Sequence, residues 1–170
     1  MRLGELNAME APEAARALRG CADVDRWVAA LLVRRPYADR RTLLDTAHLL
    51  ATWSDAELDH ALADHPRIGE RGTGSTAATS AREQAGVTDA DREAFVEANR
   101  RYEERFDRIY LVRAAGRSAA EMLALLEQRL THDDATELAV TKQQLTEIAM
   151  LRLEDLVEED PVEEEVEEDR

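Results

Sequence analysis

The chain has 170 residues, enough for one domain with a single sizeable core. Aromatic residues make up only 4% of it, so Ala and Leu supply most of the apolar surface. That composition disfavours a sheet sandwich and predicts an all-α, single-domain bundle of seven to eight helices. The formal net charge of −15 repels phosphate backbones, which excludes nucleic acid as an expected partner.

The charge is unevenly spread. Residues 154–170 carry eleven acidic side chains and one basic one, a balance of −10, which leaves −5 for the rest. The segment has too little apolar surface to offset its ordering entropy. The expected division is a helical domain over 1–156 and a disordered acidic tail over 157–170. No apolar run approaches the roughly 20 residues of a membrane span, so no membrane association is expected. Met1 to Glu5 lacks the basic-then-apolar pattern of a signal peptide. Cys21 stands alone, which rules out an internal disulfide and fits a reducing compartment. With no Ser-Lys-Leu address at the end, the expected location is cytoplasmic.

In chain order, Pro12 suits the first turn of a short helix closed by Gly20. Asp23 can cap a second helix bearing Trp27, Val28, Leu31 and Leu32 at helical spacing, which ends before Pro36. Asp39 can cap a third, with Leu43, Leu44, Ala47, Leu50 and Trp53; His48 on it reads as a core or boundary residue. Ser54 and Glu57 form a capping box for a fourth, which must stop near His65 because Pro66 follows. After a small-residue connector, a short helix is expected around Ser80 to Ala85. Thr88 and Asp91 then begin a long helix with a buried stripe of Phe95, Ala98, Tyr102 and Phe106. The β-like run 109–112 is too short to found a sheet. Ser118 and Glu121 form another capping box, and Asp133 or Asp134 caps the last long helix.

Three places could carry chemistry. His65 is pushed out of the helical region by Pro66, so its imidazole projects from a fixed backbone. Its ordinary pKa of about 6.5 suits proton exchange near neutrality. Ser80 and Glu83 lie three apart, on one face of a helix, and the amide of Gln84 can both donate and accept. Arg152 falls within the apolar stripe Leu138, Leu145, Ile148 and Leu156, so its guanidinium must find an anion or a carbonyl. Either a structural ion pair, snorkelling to the surface, or a clamp on a ligand carboxylate satisfies it. Against these stand a helix-end histidine that only bonds a terminal carbonyl and a solvated surface turn at 80–84. The four histidines form no metal-ligand pattern, so no metal is expected.

The segments His65-Pro66-Arg67-Ile68-Gly69 and Ser80-x-x-Glu83-Gln84-Ala85-Gly86 resemble the OHCU decarboxylases (2-oxo-4-hydroxy-4-carboxy-5-ureidoimidazoline decarboxylases). So does the stretch from Asn99-x-x-Tyr102 through Tyr110-Leu111-Val112, Arg129-Leu130 and Leu151-Arg152-Leu153. The likeness covers most of residues 10–156. It implies an all-helical, cofactor-free and often dimeric enzyme that acts on a small ureide to give (S)-allantoin. It makes His65 the catalytic proton donor, with Glu83 beside it. Pro66, Ser80, Gln84 and Arg152 would contact substrate, as would main-chain groups of Tyr110, Leu111 and Val112. Asp107-Arg108 and Arg113 depart from the family pattern. Two other readings fit the same residues: a helical interaction module whose acidic tail docks a basic partner, or a family member with a changed substrate. Convergence of His65, Glu83 and Arg152 on one pocket separates the enzyme from the module.

Overall fold

The structure, a computed structural model, describes residues 1–63, 65–70, 79, 82–85, 87–88 and 90–161. Among them are eight helices: α1 Leu3–Ala8, α2 Ala11–Arg19, α3 Asp25–Val33, α4 Arg40–Leu50, α5 Asp55–Ala63, α6 Arg92–Phe106, α7 Ala119–Arg129 and α8 Asp134–Leu156. No strand forms among the described residues; Arg2 and Glu158 make one isolated bridge. The described part is therefore all-α, as the composition predicts.

Local capping sets most of these boundaries. Asp39 accepts from Thr42 N at 2.6 Å and Asp133 from Thr136 N at 2.7 Å. Ser54 and Glu57 satisfy each other's backbone amides, as do Ser118 and Glu121. Each such bond meets one of the orphan donors of a helix's first turn. The structure differs at four points, the first being that α4 ends at Leu50 and leaves Trp53 beyond it. Asp23 does not cap α3; Val24 takes that position, and the Asp23 carboxylate instead faces Arg19 at 3.3 Å. The long sixth helix begins at Arg92, because Asp91 spends its carboxylate on Thr88 N and Oγ1. His48 is exposed, on the outer face of α4.

Two buried clusters fill the molecule. The first joins α1–α5 to the second half of α8 through Leu6, Leu18, Trp27, Leu43, Leu58, Leu145 and Leu153. The second gathers Ile68, Phe95, Tyr102, Tyr110, Met122 and Leu126 around α6 and α7. Both tail and N-terminus enter the fold where composition gives no hint of it. Val157 is fully buried. Glu158 N donates to Met1 O at 2.8 Å, and Leu3 N donates back to Glu158 O at 2.9 Å. Asp160 accepts from Gly4 N, and Arg40 donates to Val157 O at 2.6 Å. The folded body thus reaches Asp160 rather than ending at 156, and α1 closes against it with Leu3 and Leu6 buried. Residues 162–170 of the acidic tail lie outside the described residues.

Candidate active site

His65 follows the last turn of α5. Its main-chain N–H bonds Leu62 O at 3.1 Å, and its ring Nδ1 lies 2.7 Å from Ala61 O. A carbonyl can only accept, so Nδ1 carries the proton there and Nε2 is the ring's other nitrogen. The half-buried ring is held by its own helix end while Pro66 turns the chain away.

The loop after it is fastened at every residue from 67 to 69. Arg67 forks onto Glu103 at 2.5 and 2.8 Å, and this partnership raises its pKa above the usual arginine value. Ile68 O accepts from Asn99 Nδ2 at 3.0 Å. Gly69 N donates to Gln84 Oε1 at 3.0 Å. Gly69 sits at φ +87°, a region costly for side-chain-bearing residues. A Cβ there would lie 3.2 Å from Phe95 Cβ.

Arg152 is 6% exposed in the last turns of α8. Its Nε and Nη2 donate to the two carboxylate oxygens of Glu83 at 2.7 and 2.8 Å. The partner that a guanidinium in the apolar stripe requires is therefore another candidate site residue. Since Gln84 is the neighbour of Glu83, adjacent residues grip Arg152 with one side chain and the His65 loop with the other. A cavity of about 410 Å³ opens beside Arg152, lined also by Gly20, Cys21, Thr79, Arg82 and Asp155. Burial pushes the Cys21 thiol up to about 12, against the opposing pull of Arg152, so the sulfur lines the cavity as an un-ionised group.

The remaining expected residues are placed less directly. Ser80 lies outside the described residues. Tyr110, Leu111 and Val112 are all buried by side chain, and the Tyr110 hydroxyl is spent on Met122 O at 3.0 Å. Leu111 O accepts from Arg129 at 2.7 Å. Arg113 N donates to Gln144 Oε1 at 2.9 Å, while its guanidinium stands 3.4 Å from Glu147. Pro66 is half-buried.

A buried polar network had no place in the sequence reading. Arg129 and Glu137 are 5% and 1% exposed and paired at 2.5 Å. Tyr102 donates to the same carboxylate, Arg129 also donates to Thr141 at 3.1 Å, and His132 Nδ1 meets Glu137 Oε2 at 2.8 Å. Burial alone would raise the Glu137 pKa; the bonds from Arg129 and Tyr102 outweigh it and hold the carboxyl below its ordinary value. The signal was present but polar: Glu137, Thr141, Gln144, Ile148 and Arg152 recur every three or four residues along one face of α8.

Gln84 and Glu83 thus link the His65 loop to Arg152, while of these three expected residues, His65, Glu83 and Arg152, the cavity is lined by Arg152 alone. Over residues 7–154 the chain matches the family model described as OHCU decarboxylase, and it belongs to that family. The uric acid degradation bifunctional protein of Bacillus sp. (strain TB-90) is 25% identical over 164 residues, which make up 94% of this chain and 33% of that protein. The chain thus spans about a third of that relative's length. A crystal structure of OHCU decarboxylase in the presence of (S)-allantoin superposes with a TM-score of 0.67 at 22% identity, covering 80% of this chain and 93% of its own. One of (S)-allantoin synthase gives 0.69 at 19% identity, covering 92% and 54%. These two likenesses carry the fold.

Proposed function

We propose that the chain catalyses the cofactor-independent decarboxylation of 2-oxo-4-hydroxy-4-carboxy-5-ureidoimidazoline to (S)-allantoin in urate degradation. Family membership sets the reaction class, and the observation that supports this site most is the Glu83–Arg152 pair joined through Gln84 to the His65 loop. The substrate carries a carboxylate and a hydroxyl on one carbon, next to a C=N bond. As the carbon–carboxylate bond breaks, its electron pair forms a C=C bond and the C=N pair moves onto nitrogen, which takes a proton. Loss of the hydroxyl proton and delivery of one to the adjacent carbon then give the ring amide carbonyl of allantoin. The substrate is its own electron sink, so the protein supplies position and protons.

In this reading Arg152 receives the substrate's carboxylate or carbonyl oxygens. His65 Nε2 delivers the proton to one face of the ring, with Glu83 as the neighbouring carboxylate that takes up the hydroxyl proton. Gln84 and Ser80 meet the ureido group, and fixed orientation restricts the product to one enantiomer. The test generates substrate from urate with the two preceding enzymes and follows allantoin by circular dichroism. His65→Asn should lose activity by about 10²–10⁴-fold with an unfolding midpoint near wild type. A variant retaining more than a tenth of the rate would remove His65 from the mechanism.

A further inference from the structure

Three successive turns of one face of α6 hold three successive residues of the His65 loop. Phe95 lies against Gly69, Asn99 bonds Ile68 O, and Glu103 takes the Arg67 fork. The loop therefore runs antiparallel to the helix, one residue to a turn, and its start is His65-Pro66. Phe95 and Ile68 are apolar and buried, so packing explains them. Glu103 remains partly exposed, so a surface ion pair explains it. Asn99 is different.

Asn99 is 3% exposed, on the face of α6 that brings Phe95 and Tyr102 to the second core cluster. Among the described residues its Nδ2 makes one bond, to Ile68 O. Its Oδ1 is buried and has no hydrogen-bond partner among the described residues. A buried amide that strands an acceptor is a poor way to stabilise a core, where a leucine of the same branched shape avoids that desolvation cost. An asparagine there must do something a leucine cannot. Its only distinctive bond fixes the height of the loop on the helix, three residues from the imidazole.

We infer that Asn99 is a positioning residue, which sets the register of the His65 loop on α6 and through it the place of the His65 ring. The inference rests on the proposed role of His65 as proton donor. Stability and catalysis should then separate at this position. Burial of the orphan acceptor opposes folding, whereas the Ile68 bond serves the reaction.

The test compares Asn99→Leu and Glu103→Gln with wild type in the coupled allantoin assay, with His65→Asn alongside. Asn99→Leu should keep or raise the unfolding midpoint, lower kcat at least tenfold, leave KM within about twofold, and reduce the enantiomeric excess of the allantoin released. Glu103→Gln, which loosens the neighbouring attachment from the surface, should move kcat and enantiomeric excess the same way by a smaller factor. A lowered melting point with wild-type kcat and enantiomeric excess would overturn the inference and make Asn99 a structural residue. Should Asn99→Leu fail to fold, an unchanged kcat and enantiomeric excess in Glu103→Gln would overturn it equally. Failure of the underlying reading looks different: His65→Asn itself would stay active.

Discussion

Arg152 offers the edge formed by Nε and Nη2 to both oxygens of Glu83, at 2.7 and 2.8 Å, and so spends its planar fork on a protein carboxylate. A substrate carboxylate that wants the same edge must take Glu83's place. Glu83→Gln should therefore lower KM for substrate even as kcat falls, because a neutral amide competes poorly for a guanidinium. Steady-state kinetics at several substrate concentrations check this. A raised KM would show that the pair is a fixed part of the binding surface.

Arg152→Lys keeps a charge and loses the fork, so KM should rise about tenfold with little change in urea unfolding. Arg152→Ala leaves Glu83 without these bonds. The Glu83 side chain keeps 19% of its exposure, so the cost should be about 1–3 kcal/mol rather than that of a fully buried ion. Chemical denaturation measures it.

The Arg129–Glu137 pair has no such relief, since both side chains are almost wholly enclosed. Glu137→Gln should cost about 3–5 kcal/mol by leaving a buried guanidinium without its counter-charge. Replacing both, Arg129→Met with Glu137→Leu, should cost less than the sum of the single changes. Tyr102→Phe removes one bond to the carboxylate and should cost about 1 kcal/mol.

Acid should weaken the fold in a defined window. Bonds from Arg26 hold Glu57 at about 2 in the folded protein, below its ordinary 4.5. The unfolded chain thus binds more protons between these values, so stability is present above about 4.5 and drains away as pH falls towards 2. Glu137, also lowered, acts in the same direction. Urea midpoints measured from pH 7 to 2.5 should fall below 4.5, and Glu57→Gln should flatten part of that slope.

Much of the scaffold was legible because its signals are local. A serine and a glutamate three apart announce α5 and α7, and aspartates at 39 and 133 announce α4 and α8. Arg152 was legible for a different reason, as a charge where the helical period allows none. What escaped was tertiary. Nothing around Asn99 says that its amide meets Ile68 O, thirty-one positions back. Val157 reads as the start of a solvated tail until Met1 and Leu3 supply the groups that pair with Glu158. Composition averages over a segment and cannot find the one valine in it that is buried. Ending the chain at 156 instead of 161 should accordingly lower the melting temperature by several degrees, since a buried Val contributes about 1.5–3 kcal/mol.

One helix belongs to both halves of the interior. From Glu137 to Thr141, α8 faces the network on Tyr102 and Arg129; from Leu145 to Leu153 it is packed into the first cluster. Its 23 residues form one continuous rod of about 34 Å. Neither half can open without exposing a face of the same rod, so the amides at the middle of α8 should exchange with deuterium only through global unfolding. Glu83, tied to the last turns of that rod through Arg152, should open more easily than the helix centre. A bound carboxylate should slow exchange at the site and leave the helix centre at the pace that the whole fold sets.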